Sequence, residues 1–270
     1  RRADGRHDVL FLSEGASRIS GIPAEEQIAC PERFSDLVHP DDRDVYAESI
    51  ARSTERLETW DIEFRLFARE GIQKWVRINA RPEASDGEIT WHGYISDIST
   101  RKKQEMEIEE LAYYDSLTKL PNRRKFLNRM GQAVASCDRR GEKGALLFID
   151  LDNFKALNDT QGHDTGDEFL IQVAERLRRC INQSDMVARI GGDEFVVLLE
   201  NTGPATAQAT RQAITAANQI LSALRQEFVL GELRHMASAS VGVVVFDGSE
   251  KRADEILKRD LCTPEEWATM

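Results

Sequence analysis

Positive charge is in short supply. The 270-residue chain carries 36 Lys and Arg against 47 Asp and Glu, a formal net charge of −11. A protein that holds nucleic acid through its phosphates needs a basic surface, so no nucleic-acid partner is expected. An acidic chain can still hold a nucleotide where a local cradle or a metal ion offsets the phosphate charge. Cysteine is scarce too. Cys30, Cys137, Cys180 and Cys262 include no Cys-x-x-Cys pair, which removes support for a zinc or dithiol site and reads as reduced thiols. No apolar run approaches the roughly 18 residues that a membrane span needs, and no signal peptide is visible. No membrane contact is therefore expected within this stretch. The sequence begins at Arg1 rather than Met and so reads as a fragment, which leaves room for an upstream anchor. Repeats and low-complexity tracts are absent. What is present is 41% hydrophobic and 31% charged, enough for packed cores. At roughly 100–200 residues per domain, the length predicts two domains.

Three alternating runs mark the first part. Trp60–Leu66 places apolar residues at every second position, as do Val76, Ile78 and Ala80, and then Ile89, Trp91, Gly93 and Ile95. The turn signals Arg69-Glu-Gly71 and Asp86-Gly87 separate them, which predicts an antiparallel meander. Short helices are expected before it, over Gly15–Ile19 and Asp41–Ser53. From Ser99, a capping candidate, to Tyr114 the chain turns charged, with Ile108, Leu111 and Ala112 at helical spacing. A solvated linker helix and a dimeric coiled coil both fit this stretch. Beyond Asp115, helix and strand alternate. Helices are expected over Arg123–Ala135, Thr165–Arg179 and Ala205–Phe228, the last with Ile214, Ala217, Leu221, Leu224 and Phe228 on one face. Strands are expected over Ala145–Ile149, Val187–Ile190, Phe195–Leu199 and Ala239–Phe246.

Two acidic clusters fall at strand ends. In Phe148-Ile-Asp150-Leu-Asp152-Asn-Phe-Lys155-Ala-Leu-Asn158-Asp159 an apolar strand runs into Asp150 and a helix begins just after. The N–H groups of Asn153, Phe154 and Lys155 then point outward, as a phosphate requires. Asp150 can hold a hard cation; Asp152 and Lys155 fit a surface salt bridge almost as well. In Arg189-Ile-Gly191-Gly192-Asp193-Glu194-Phe195 the glycines make a tight hairpin turn and leave the backbone open to a ligand. Alone, this is a polar hairpin tip. Together, carboxylates at neighbouring strand ends can share a pair of metals about 3.5–4 Å apart, the arrangement that serves phosphoryl transfer.

The run Arg189–Phe195 resembles the signature of the GGDEF diguanylate cyclases. Asp115-Ser-Leu-Thr-Lys-Leu-Pro-Asn-Arg123 is similar to that family's opening segment, with Lys119 where Gly is frequent. Phe148–Asp159, Gly162-His163-Asp-Thr-Gly166-Asp167 and Ser240-Val-Gly-Val243 match further segments, so the likeness runs from Asp115 to Arg259. It implies a homodimeric, nucleotidyl-cyclase-like α/β sandwich that condenses two GTP into cyclic di-GMP and two pyrophosphates. It also implies Asp150, the Leu151 carbonyl and Asp193 as ligands of Mg²⁺ (or Mn²⁺), with Glu194 beside them at a second metal. Asp193 matches the residue that helps deprotonate the ribose 3′-hydroxyl. Asn153, Phe154 and Lys155 would meet phosphates, and Gly191 and Gly192 would line the substrate site. Asn158, His163 and Asp167 match substrate positions, with Asn158 and Asp167 on the guanine edge. A bacterial cytoplasmic location follows from the same likeness.

Two departures stand out. The family's inhibitory product site, Arg-x-x-Asp, is here Asn182-Gln-Ser-Asp185, so only Asp185 is kept. The family's closing helix and strand carry a Lys and an Arg that contact the triphosphate. This chain instead reads Lys258-Arg-Asp-Leu-Cys-Thr-Pro264-Glu-Glu-Trp-Ala-Thr-Met270, with no such Lys or Arg, which predicts impaired catalysis. Val38-His39-Pro40-Asp41-Asp42-Arg43, the meander and Trp91–Ile98 resemble a PAS sensor domain whose ligand the residues do not name. His39 reads as a turn residue over a haem ligand, and Trp60, Trp75 and Trp91 read as core. The expected fold class is thus α+β. A PAS fold over 1–98 leads into a linker helix over 99–114, a cyclase domain over 115–259 and an atypical tail over 260–270 that leaves it truncated. The alternative is a silent GTP-binding regulatory or interaction module.

Overall fold

Side-chain alternation builds the N-terminal unit. A computed structural model describes residues 8–69, 71–85 and 88–249, so the turn at Asp86-Gly87 and the run from Lys258 onward lie outside the described residues. Short helices α1 (Glu14–Ser20), α2 (Ala24–Ala29) and α3 (Glu32–Asp36) precede the longer α4 (Arg43–Arg56). The first and last of these were expected. The middle two, at six and five residues, are too short to display a helical period. Strands β1 (Trp60–Phe67), β2 (Gln73–Ser85) and β3 (Glu88–Asp97) form the antiparallel meander, in the order β1-β2-β3. Ile62, Phe64 and Leu66 face the same core as Val76, Ile78 and Ala80, together with Val38.

Polar contacts fix the helices onto that sheet. The Asp42 carboxylate accepts from the Arg65 backbone N–H at 2.8 Å and from its guanidinium at 2.9 and 2.6 Å. These hydrogen bonds hold the Asp42 carboxyl below the usual carboxylate range. His39 Nδ1 accepts the Asp41 N–H at 3.2 Å, and its ring lies 5.1 Å from Phe67, so the residue closes the turn as expected. The Trp60 and Trp91 indoles pack on the core and donate to Ser49 and Ser53 of α4, each at 2.9 Å. Trp75 departs from the expectation. Because Val76 points inward, period two turns Trp75 outward, where Arg65 and Lys102 lie over its ring at 5.8 and 5.4 Å.

Helix α5 (Ser99–Tyr113) follows. Its cap is not Ser99. The helix already includes Ser99, so the Ser99 amide is itself one of the orphan donors, and Asp97 Oδ1 accepts it at 3.0 Å. The Ser99 hydroxyl instead accepts from the Trp75 N–H at 3.0 Å. Ile108 and Leu111 are 67% and 73% exposed. The chain divides into two compact units between Glu107 and Ile108.

The C-terminal unit contains α6 (Arg123–Arg140), β4 (Gly144–Leu151), α7 (Phe154–Gln161), α8 (His163–Cys180), β5 (Met186–Gly191), β6 (Glu194–Leu199), α9 (Thr206–Leu224), the short hairpin β7 (Phe228–Leu230) and β8 (Leu233–His235), and β9 (Ala239–Phe246). Its main sheet has the order β5-β6-β4-β9, all antiparallel. Within β4 the run Ala145–Ile149 is apolar without a break because both faces are covered. Leu146 and Phe148 pack with Phe126, Met130 and Val134 of α6. Leu147 and Ile149 pack with Phe169, Leu170, Val173 and Leu177 of α8 and with Ala213 and Ile220 of α9.

Helix α9 ends earlier than its apolar pattern predicts. Its buried face is Ala209, Ala213, Ala217, Ile220 and Leu224, while Ile214 is exposed. Phe228 belongs to β7 instead. The Arg176 guanidinium holds the turn at which the helix stops. It donates to the carbonyls of Ala223, Gln226 and Glu227 at 2.9, 2.6 and 2.6 Å and lies 3.5 Å from the centre of the Phe228 ring. Carbonyls left over at a helix end are satisfied in this way.

Lys119 has φ 56°, the left-handed region that favours glycine. Replacing it by Gly should stabilise the C-terminal unit by about 0.5–1 kcal/mol, a rise of roughly 1–4 °C in its thermal midpoint. Differential scanning calorimetry reads this directly. An unchanged or lower midpoint would mean that the lysine side chain supplies contacts that offset the backbone strain.

Candidate functional site

The site forms where β4 leaves the sheet. Asp150 stands directly opposite Glu194 on β6 and opposite Ser240 on β9. Directly opposed residues of an antiparallel pair have Cβ atoms about 4.5–5.5 Å apart, and like charges there destabilise the sheet. The Leu151 N–H donates to the Asp193 carbonyl at 3.4 Å, which brings the β5–β6 hairpin tip beside the end of β4. The tip differs from the expected Gly-Gly turn. Gly191 pairs with Glu194 after a bulge that follows Arg189, so the two turn residues are Gly192 and Asp193. Gly192 takes φ 46°, a conformation that glycine adopts at no steric cost.

Electrostatics follow from this crowding. The Asp150 carboxyl is pushed up to about 6, first by burial and then by the charges of Asp193, Glu194 and Asp152. Asp152 pairs with no lysine among the described residues. Its oxygens accept the Ser238 and Ser240 hydroxyls at 2.6 and 3.1 Å, so the surface salt bridge with Lys155 that the sequence also allowed does not form among the described residues. No group of three or more His, Cys, Asp or Glu side chains gathers tightly among the described residues. The expected set has three such side chains, but only Asp150 and Asp193 were expected at the first cation, with the Leu151 carbonyl as third donor, and Glu194 at a second. Carboxylates and a carbonyl are the oxygen ligands that a hard divalent cation takes, and the residues fit one.

Immediately downstream, Asn153 adopts φ 61° and heads α7 without a side-chain cap. The first amides of α7, at Phe154 and Lys155, therefore face outward without intrahelical partners. Asn158 lies farther along α7. Gly162, at φ 88°, turns the chain into α8, where His163 and Asp167, four residues apart, are both exposed on one face. Asp150, Leu151, Asp193 and Glu194 thus come together at one sheet end, the Asn153–Lys155 turn continues β4, and Asn158, His163 and Asp167 sit on the α7–α8 pair.

Asp185 is consumed locally. It accepts from the Asn182 backbone and side-chain N–H groups at 3.3 and 3.2 Å and from the Glu200 N–H at 3.1 Å. Sequence reasoning missed the role of Arg189. Its guanidinium donates twice to the Gly192 carbonyl, at 3.0 and 2.7 Å, and once to Asp115 Oδ1 at 3.0 Å. Asp115 Oδ1 in turn accepts from the Thr118 N–H and hydroxyl at 2.8 and 2.6 Å. Arg189 therefore ties the hairpin that carries Asp193 to the turn after α5. The signal was available in two quoted segments, each with one member of an Arg–Asp pair 74 residues apart.

Similarity to known proteins agrees with this geometry. The family model for the diguanylate cyclase GGDEF domain matches residues 112–260, and that for a PAS fold matches residues 9–95. A bifunctional diguanylate cyclase/cyclic di-GMP phosphodiesterase of Pseudomonas aeruginosa, MucR, is 40% identical over 151 residues, 56% of this chain and 21% of its own length. Diguanylate cyclase DgcP of Escherichia coli is 38% identical over 147 residues, 54% of this chain and 41% of its own. The chain thus spans less than half the length of these curated relatives. The crystal structure of the FimX GGDEF domain from Pseudomonas aeruginosa superposes with a TM-score of 0.50 at 26% identity, covering 54% of this chain and 88% of that one. No helix among the described residues is long and apolar enough to cross a membrane. With its GGDEF match over more than half its length and a PAS-fold match ahead of it, the chain belongs to the GGDEF-domain diguanylate cyclase family and joins an α+β PAS module to the cyclase fold.

Proposed function

We propose that the C-terminal unit condenses two GTP molecules into cyclic di-GMP, as a homodimer in which each protomer holds one GTP, under control of the PAS module through α5. The observation that supports this reading best is the Asp150 carboxyl, raised by burial and by the charges of Asp193 and Glu194, on the strand that leads into an uncapped helix. Negative charge concentrated on oxygen ligands beside outward amides suits a divalent cation and a phosphate chain together.

In this reading Asp150, the Leu151 carbonyl and Asp193 hold Mg²⁺ or Mn²⁺, and Glu194 serves a second cation. When bound, the metal offsets triphosphate charge and polarises the α-phosphate. The amides of Asn153, Phe154 and Lys155 and the Lys155 ammonium bind phosphate oxygens. Gly191 and Gly192 leave the backbone open to the substrate, and His163 lines it. Asn158 and Asp167 meet the guanine edge, where a carboxylate accepts N1–H and N2–H. Asp193, on the hairpin tip, takes the proton of a ribose 3′-hydroxyl. That oxygen bonds to the α-phosphorus of the GTP held by the second copy, the bond to the bridging oxygen breaks, and pyrophosphate leaves. The same step in the other direction closes the ring. With Asn182 in place of an arginine, and Asp185 bonded within its own turn, product inhibition at this position is absent. A silent GTP-binding module is the second reading, favoured by the departure from the family pattern at Lys258–Met270.

Chromatography of a GTP and Mg²⁺ incubation separates the two readings. Cyclic di-GMP is expected from this chain and at least about a hundredfold less from Asp193→Ala. Metal-dependent GTP binding without product would establish the silent module instead.

Metal affinity should follow the Asp150 carboxyl. A cation needs the carboxylate, so Mn²⁺ affinity should hold from pH 8 to about 6 and then fall about tenfold per unit below that. In the metal-free protein the ionised group opposes folding above pH 6, and this cost is relieved as pH falls from about 6 towards 4. Asp150→Asn should remove that part of the pH dependence. Calorimetric Mn²⁺ titrations at pH 7.5 and 5 provide the check, and equal affinity at the two pH values would remove Asp150 from the ligand set.

A further inference from the structure

Gly166 lies inside α8, one residue before Asp167, with no positive φ to require glycine. Its requirement is spatial. A Cβ built at Gly166 would overlap Asn158 Oδ1 and stand 3.4 Å from the Phe154 ring. Asn158 Oδ1 is itself buried and accepts no hydrogen bond. The carboxamide of α7 therefore presses its oxygen into a niche that exists only because residue 166 has no side chain. The Nδ2 end lies outside that buried contact and makes no hydrogen bond to the described residues.

The orientation has a physical cause. A carbonyl oxygen against the Cα hydrogens of glycine gains a weak C–H···O contact. The reverse orientation would press an NH₂ group onto a methylene and bury donors without acceptors, which costs more. The niche thus fixes the amide with its acceptor inward and its donors outward. Guanine presents an acceptor, O6, where adenine presents the N6 amino donor. A locked donor at Asn158 accepts the first and refuses the second.

We propose that Gly166 is the positioning residue that makes this site select guanine, by locking Asn158 with Oδ1 buried and Nδ2 offered to guanine O6. The inference rests on the reading of Asn158 and Asp167 as the residues that face the base of GTP. It adds that selectivity is set by a residue that touches no nucleotide. Asp167, exposed on the same helix, supplies the acceptor for N1–H and N2–H.

The test is metal-dependent binding of GTP, ITP and ATP to the full chain, by competition titration. Wild type is compared with Gly166→Ala, Asn158→Ala and the double variant. Gly166→Ala should weaken GTP and ITP alike, by roughly tenfold, and leave ATP unchanged. ITP keeps O6 and N1–H but lacks the 2-amino group, so equal losses assign the effect to O6. In the Asn158→Ala background the same change should add less than about twofold, because the two residues act through one contact. Alanine is intrinsically favoured within a helix, and a thermal melt confirms that each variant is folded. Should Gly166→Ala not fold, Asn158→Asp keeps the buried oxygen but replaces the outward donor by an acceptor, and it should lose GTP and ITP selectively. Wild type binding GTP no more tightly than ATP would overturn the GTP reading and this inference with it. Guanine-selective wild type with selectivity kept in Gly166→Ala (or in Asn158→Asp, should that variant stand in), or a loss that persists without the Asn158 side chain, would overturn this inference alone.

Discussion

The opposition of Asp150 and Glu194 across β4 and β6 is the constraint on which the C-terminal unit turns. Sheet register fixes two carboxylates on directly opposed positions, and the Leu151–Asp193 backbone bond brings a third acidic residue beside them. Nothing local relieves the repulsion. Among the described residues no salt bridge reaches Asp150, and its carboxyl is pushed up to about 6. Such crowding persists because the surroundings over-determine it. The β4 strand carrying Asp150 is buried on both faces by α6 on one side and α8 and α9 on the other. A rigid core holds together charges that would otherwise separate.

Around that point, several contacts set the position of loops rather than add stability. Arg189 grips the Gly192 carbonyl and Asp115 at once, so the hairpin tip and the turn after α5 share one guanidinium. Planar, multiply donating arginine suits this duty better than lysine. Ser238 and Ser240 hold Asp152, which fixes the turn in which Asn153 takes its left-handed conformation. Gly162 and Gly166 let α7 and α8 lie against each other. The polar face of the site is thus assembled from five separate stretches of chain.

The N-terminal unit obeys a different economy. Its sheet has one core face, so its strands alternate where β4 does not. On the outer face Glu63 meets Arg101 at 2.6 Å and Lys102 at 2.8 Å, and Trp75 lies beneath Lys102. Each exposed pair by itself contributes little to stability, because solvent screens it. Together with the Asp97 and Ser99 bonds they seat the first turns of α5 on the sheet, so a change in strand position would reach the helix directly.

The sequence by itself determined the type of the longer elements, the meander and the acidic clusters. Those depend on period and composition, which are local: Ile62, Phe64 and Leu66 announce a one-faced strand, and Ala145–Ile149 announce a two-faced one. The signature Gly191-Gly192-Asp193-Glu194 was legible for the same reason. Tertiary structure decided the rest. Helix α9 gives way to the β7 hairpin after Leu224, where Arg176, from another helix, binds the Ala223 carbonyl and those of Gln226 and Glu227 just beyond it. Trp75 lies outward because register gave the core to Val76. The turn is Gly192-Asp193 because a bulge shifts the pairing. Asp150 acquires its raised carboxyl first from burial in the folded sheet end and then from charges that include Asp193 and Glu194, far along the chain. Each of these is set by partners distant along the chain, and no local pattern encodes which distant group arrives.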